Sequence, residues 1–485
     1  MENLPLSLFE IVLTAIYLIN FILVVDLIFR GKRNIDNTLT WIVILVLVPP
    51  VGFILYAMFG RSIAKKNMFR VKEKEDKVIK DKILESYVEI ESNLDPYLDE
   101  NKDIIYTLAN SNNAHFTADN DVDIYPESNM FFNSLLEELK KAEEYINIQF
   151  YIFKDDRIGK EIIEILKEKA QSGVEVRLLY DAVGGRNLSR KAVKEMKEAG
   201  VQVANFFPSF LNIINFNINF RNHRKIVVID GKVGFVGGFN VGDEYLGRDP
   251  KFGEWRDTHI RLTGSCVIDL SMRFLLDWRY TTKENLDLAK YFTKKREKST
   301  GNVGIQIVSS GPDITELDEI KYGYMKMIQK ARDYVYIQSP YLILDKTLME
   351  TLKVACLSGV DVRIMIPSKP DHPFVYWASY SYAGELLNYG AKIYTYGGDA
   401  FLHAKTIVYD DSVASIGTAN MDIRSFELNF EVNAFIYSEE KAREQRMIFE
   451  RDIENSREIT KEIYESRSTY IKIKESISRL LSPVL

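Results

Sequence analysis

Hydrophobic and polar positions divide the chain into three textures. Two long apolar stretches come first, LSLFEIVLTAIYLINFILVVDLIF at 6–29 and LTWIVILVLVPPVGFILYAMF at 39–59. Each offers about the 20 residues that a helix needs to cross a bilayer. They predict a two-helix transmembrane hairpin over residues 1–60, with Glu10, Asn20 and Asp26 as polar interruptions in its first arm. No basic residue precedes Arg30, which is unlike a cleaved secretory signal. Residues 61–115 are charged and mostly helix-like, and read as a connector on the membrane surface. Beyond them, short β-branched runs alternate with stretches such as GKEIIEILKEKAQ (159–171), whose apolar residues recur at three- and four-residue steps. That alternation predicts an α/β fold, a mixed sheet covered by helices.

The alternating region runs through one programme twice. KAEEYINIQFYIF (141–153) returns as KARDYVYIQSPYLI (330–343), and SGVEVRLLYDA (172–182) as SGVDVRIMIPS (358–368). AGVQVANF (199–206) returns loosely as YGAKIYTY (389–396). A period this long exceeds any solenoid repeat. It predicts two fused copies of one domain, over 116–295 and 296–485.

Composition narrows the function. A net charge of −6 argues against a protein built mainly to coat nucleic acid. The two cysteines, Cys266 and Cys356, make neither a disulfide framework nor a zinc cluster. Basic residues orient the hairpin: Arg30, Lys32 and Arg33 lie between the apolar stretches, against Arg61, Lys65, Lys66, Arg70, Lys72 and Lys74 after them. The excess after the second stretch puts the large domain on the cytoplasmic side.

Candidate chemistry sits where the two copies agree most closely. HRKIVVIDGKVGFVGGFN (223–240) and HAKTIVYDDSVASIGTAN (403–420) share one frame. In it His223, Lys225, Asp230, Gly237 and Asn240 match His403, Lys405, Asp410, Gly417 and Asn420. Side chains two apart on a strand share a face, about 7 Å apart, so each His and Lys can touch one phosphate. Asp230 has the opposite parity and precedes Gly231, a hairpin-turn signal; parity assigns Asp230 and Asp410 a turn or charge-pairing role. The glycines allow close backbone approach to an anion, and the asparagines offer neutral donors. Two such units facing each other suit phosphoryl transfer through a covalent intermediate, one imidazole attacking phosphorus and the other protonating the leaving oxygen. Lysines and asparagines neutralise the remaining phosphate oxygens, so neither a catalytic metal nor a cofactor is expected. Each histidine needs a carboxylate to fix its tautomer, and Asp257 in WRDTHIRL and Glu431 in LNFEVNAF are the candidates.

The duplicated HxKxxxxD motif resembles the signature of the phospholipase D superfamily. With YDAVG (180–184), SSGPD (309–313), PDHPFVYWASYSYAGELL and FLHAKT, the resemblance sharpens to the bacterial cardiolipin synthases and covers nearly the whole chain. It implies two phospholipase D-like domains behind a membrane hairpin, in a bacterial cell membrane. It also implies an activity: a histidine cleaves one phosphatidylglycerol, releasing glycerol, and a second phosphatidylglycerol takes the phosphatidyl group. By the same resemblance His223 is the nucleophile and His403 the acid/base; the symmetry of the motifs does not choose. Thr418 stands where serine is commoner, and keeps the hydroxyl. The same chemistry with water or another alcohol as acceptor is the chief alternative, and a membrane scaffold with a dead site is a further one.

Other features are open at this level. FFPSFLNIINFNINF (206–220) is apolar enough to dip into lipid or to form a core strand. Ile473, Ile477, Leu480 and Leu481 share one helical face, in either an interfacial helix or one packed on the domain. His259 shares strand parity with Asp257, His372 is placed to touch a headgroup, and His115 lies in an Asn-rich loop.

Overall fold

A computed structural model of the chain describes residues 8–29, 35–59, 99–112, 114–207, 220–287, 289–292, 300–312, 318–398 and 400–482. Most of the charged connector, and residues 208–219 of the apolar stretch before the first motif, lie outside the described residues.

Strands from both copies join into one sheet. From the middle outward, the first half contributes Phe116–Tyr125, His259–Thr263, Val233–Gly237, Ile226–Ile229, Tyr145–Phe150, Glu175–Asp181 and Gln202–Phe206. The second half mirrors it with Val303–Ser310, Glu431–Tyr437, Val413–Gly417, Thr406–Tyr409, Tyr334–Gln338, Asp361–Pro367 and Lys392–Tyr396, and adds Ser456–Ile459 at the edge. The seam is the antiparallel pair of Phe116–Tyr125 with Val303–Ser310. Within each half, the three outer strands with helical crossovers run parallel and the inner ones antiparallel. The crossover strands are buried on both faces because helices cover them, polar residues such as Asn147 and Gln149 included. Tyr145–Phe150, for example, is buried along its whole length.

The motif strands form hairpins as their Asp-Gly and Asp-Asp pairs predict. Asp230 and Gly231 have φ of +53° and +61°, and Asp410 and Asp411 +46° and +48°. Left-handed backbone at a non-glycine residue costs about 1–2 kcal/mol. The aspartates recover it locally. Asp230 accepts the backbone N–H groups of Glu143, Glu144 and Tyr145, at 2.9, 2.8 and 2.8 Å. Asp410 accepts those of Arg332, Asp333 and Tyr334, at 2.7, 3.0 and 2.7 Å.

The second apolar stretch does not form the single membrane span that its length predicts. Helix α1 covers Leu8–Phe29, whereas the next apolar residues make two short helices, α2 over Ile35–Leu47 and α3 over Pro49–Phe59. The ring centroids of Trp41 and Tyr56 are 5.3 Å apart, where a continuous helix would hold them about 22 Å apart. α2 and α3 therefore double back on each other. Pro49 has no N–H to give the carbonyl of Leu45, so the helix opens there. Asn20 of α1 fills the gap, donating to Leu45 O at 3.1 Å and Pro49 O at 3.0 Å. The polar interruption in the first stretch thus satisfies the break in the second.

Candidate active site

Each motif reaches the site by pairing with the opposite half. Ahead of the first motif, Asn222 bridges to Phe430 in parallel, and His223 N–H donates to Phe430 O at 2.9 Å. Ahead of the second, Phe401–Leu402 pairs in parallel with Trp255–Arg256, and His403 N–H donates to Arg256 O at 2.7 Å. The partner segments end at Glu431 and Asp257, so each half delivers a carboxylate to the other half's histidine. His403 Nδ1 lies 2.6 Å from Asp257 Oδ2. His223 Nδ1 lies 3.2 Å from Glu431 Oε1, off the direct hydrogen-bond line.

A nitrogen that donates to a carboxylate leaves its neutral ring's lone pair on Nε2. Asp257 is itself held by Thr258 N–H at 2.8 Å, and Glu431 Oε1 accepts from Asn429 at 3.1 Å. Gly238 makes this closeness possible: a Cβ there would fall 1.9 Å from Asp257 Oδ1. The anion that this motif glycine admits is the protein's own carboxylate.

The lysines take matching postures. Lys225 Nζ donates to the carbonyl of His223 at 2.7 Å, and Lys405 Nζ to that of His403. Lys405 Nζ also stands 2.7 Å from His403 Nδ1. One nitrogen cannot both give a proton to Asp257 and accept one from an ammonium; the carboxylate, as the charged acceptor, takes it.

Burial dominates the site's electrostatics. It pushes Lys225 down to about 8 and Lys405 down to about 7, with Glu431 and Asp257 opposing. Both imidazoles also titrate below their usual range, chiefly through burial, while Glu431 opposes the shift at His223 and Asp257 at His403. Burial works to raise Asp257 and Glu431, but Lys405 with His403 outweighs it for the first, and His223 with Lys225 for the second. The site therefore carries compressed positive charge, the condition under which an anion gains most from entering.

His223, Lys225, His403, Asn240 and Asn420 line one cavity of about 590 Å³. Lys405 is buried against His403. Asn240 is already engaged, donating to Tyr245 Oη at 3.0 Å and accepting from Ile152 N–H at 3.0 Å. The Tyr151 ring lies 4.4 Å from His223 and the Trp255 ring 5.2 Å from His403, centroid to centroid. Arg186, Arg221 and Arg424 add positive charge to the wall, and Tyr341 donates to Asp371 across it. Sequence reasoning did not single out these last residues, because each stands alone in its segment with no repeated frame.

Asp230 and Asp410 do not enter the cavity; they hold the far ends of the motif strands. Among the remaining histidines only His372 lines the cavity. His259 is buried 4.0 Å from the Phe131 ring, its pKa pushed down to about 3 by burial, and His115 pairs with Asp269 at 3.2 Å. Arg224, between the motif His and Lys, points the other way. It bonds both oxygens of Asp277 and the carbonyls of Glu431 and Ser310, tying the halves together beneath the site.

The chain is similar to known proteins along nearly its whole length. The family described as "Cardiolipin synthase, PLD-like domain" matches residues 135–249 and 324–453, and a phospholipase D-nuclease N-terminal family matches 18–61. The major cardiolipin synthase of Bacillus subtilis is 47% identical over 99% of this chain and all of its own. A cardiolipin synthase of Oceanobacillus iheyensis is 45% identical over 98% and 99% of the two chains. The fold is that of a Haemophilus influenzae phosphatidylserine synthase crystal structure, with a TM-score of 0.59 at 16% identity over 79% of this chain and all of that one. This chain belongs to the cardiolipin synthases, a family of phosphatidyltransferases, and carries their phospholipase D-like domain in duplicate.

Proposed function

We propose that the protein joins two phosphatidylglycerol molecules into cardiolipin and glycerol through a phosphatidyl-histidine intermediate. The observation that carries this is two imidazoles at one cavity, each with Nδ1 turned to a carboxylate from the opposite half. In the first step Nε2 of His223 forms a bond to phosphorus as the P–O bond to glycerol breaks, and Nε2–H of His403 gives the departing oxygen its proton. In the second, His403 takes the proton from a hydroxyl of the next phosphatidylglycerol. That oxygen bonds to phosphorus and His223 leaves. Lys225 and Lys405 balance the charge on the non-bridging oxygens. Giving His223 the nucleophile's role rests on the family resemblance.

Full-length protein in phosphatidylglycerol vesicles, with chelator present, tests this reading. Cardiolipin and glycerol should form in equal amounts, and His223→Ala and His403→Ala should each stop turnover. Phosphatidic acid as sole product would mean that water is the acceptor.

The membrane segment supports one crossing and one half-depth insertion. α1 is long and apolar enough to cross, with mean hydropathy 2.5 over Glu10–Phe29. Its 22 residues span about 33 Å, whereas the 13 of α2 and 11 of α3 reach only about 20 and 17 Å. The tip of the α2–α3 pair meets Asn20, midway along α1, and its base packs at Leu27. In this arrangement α1 ends, α2 begins and α3 ends on the same face. The three basic residues at 30–33 then add to the six at 61–74, a charge excess that favours the cytoplasmic side for the catalytic domain.

A further inference from the structure

The helix Thr469–Leu480 packs the wrong way round for a soluble domain. Its buried residues are polar: Glu475, at 3% exposure, holds Arg467 at 2.6 and 2.7 Å, and Ser478 is at 1%. Arg479 pairs with Glu385 on the neighbouring helix Pro373–Leu387. Its apolar residues face outward, with Tyr470 at 66%, Ile473 at 52%, Ile477 at 49% and Leu480 at 75%. These four recur at three- and four-residue steps, so they form one stripe. A helix packed on a core buries such a stripe. This one presents it.

We propose that this stripe, together with Phe374, is a bilayer-docking surface that seats the cavity mouth in the lipid headgroup layer. Three observations favour a lipid surface as the occupant. First, the stripe is continuous with the site: Ser482 just after the helix lines the cavity, as do His372 and Val375 on either side of Phe374, itself 54% exposed. Second, Lys474 lies 4.3 Å from the Tyr470 ring and 5.1 Å from the Trp377 ring, with Lys472 exposed nearby. Aromatic rings beside lysines are the composition of a membrane interface, and the lysines suit anionic headgroups. Third, the same chain carries α1, which is long and apolar enough to anchor the domain at a bilayer. The purpose of the surface rests on the lipid-substrate reading above; the contact itself does not.

The test uses full-length protein in vesicles of phosphatidylglycerol and phosphatidylcholine. An environment-sensitive fluorophore is placed by Leu480→Cys in a Cys356→Ser background, Cys266 being buried. A control carries it at Glu465→Cys on the preceding helix. Lipids with brominated acyl chains should quench the probe at 480, and aqueous dithionite should bleach it roughly tenfold more slowly than the control. Equal bleaching at both positions would overturn the proposal. So would protection at 480 that persists in detergent and rises with protein concentration, which would mean a second copy covers the stripe. Turnover gives a second readout. Ile473→Asp with Ile477→Asp and Leu480→Asp should lower kcat/KM on bilayer phosphatidylglycerol roughly tenfold, yet leave a monomeric short-chain phosphatidylglycerol within about twofold. Equal loss on both substrates would place the damage in the site and refute docking. An unaltered protein inactive on both would sink the synthase reading while the probe results still decide the docking.

Discussion

The Asp257 carboxylate and the His403 imidazole stand 146 positions apart in the chain and 2.6 Å apart in the site. His223 and Glu431 repeat the relationship in the other direction at 3.2 Å. The two acids are therefore not equivalent, since one hydrogen bond is short and direct and the other longer and oblique.

That difference orders two substitutions. Asp257→Asn leaves the shape intact but no longer draws the proton to Nδ1 of His403, and kcat should fall by roughly 10³-fold or more with KM little changed. Glu431→Gln should cost less, because the contact it weakens is already off-line. Steady-state kinetics on both variants decides this, and a larger loss for Glu431→Gln would reverse the ordering.

The buried lysines set the alkaline side of the pH profile. Their lowered pKa values, about 7 for Lys405 and about 8 for Lys225, mean that they lose charge as pH rises through that window. kcat/KM, which reports the free enzyme, should fall across it. On the acid side it should fall only below the usual imidazole range, because burial lowers His223, whose ring must be neutral to attack. A bound phosphodiester is negative and raises all four values, so the kcat profile should sit at higher pH than that of kcat/KM. A rate flat from about pH 5 to 9 would count against two imidazoles in opposite protonation states.

The motif aspartates should behave as parts of the fold. Removing the acceptor of three backbone N–H groups by Asp230→Ala should lower stability by about 1–3 kcal/mol, seen as a reduced Tm. The activity of the molecules that remain folded should stay within about twofold. Asp230→Asn should be milder, since asparagine tolerates the left-handed backbone and keeps one acceptor oxygen. A normal Tm with lost turnover would return Asp230 to the chemistry.

Membrane sidedness separates the half-depth insertion from two full crossings. Cysteines introduced by Glu2→Cys, Lys32→Cys and Ser62→Cys can be labelled with a membrane-impermeant maleimide in inverted and right-side-out vesicles. Positions 32 and 62 should label from one side and position 2 from the other. Labelling of 2 and 62 from the same side would restore a two-span hairpin.

Sequence patterns exposed what the chain states twice. Duplication made the two His-x-Lys frames and the α/β halves legible, and strand parity placed Asp230 at a turn. Partnership between the halves was less visible, because two-residue ladders such as Phe401–Leu402 with Trp255–Arg256 join segments far apart in the chain and leave no periodic trace. Asp257 and Glu431 were identifiable as acids in strand-like runs, but not whose histidine each would meet. The break at Pro49 was readable as a proline pair, and its repair by Asn20 was not, since that needs the packing of α1. The C-terminal stripe was visible as a face. Only burial says that it faces out.

Gene duplication usually releases one copy to drift while the other keeps the work. The exchange of carboxylates between these halves removes that freedom. A change at Asp257 is felt by His403 of the second copy, and one at Glu431 by His223 of the first. Selection on such a chain acts on the pair as a single inherited trait, so the two copies can specialise for donor and acceptor lipids only in step.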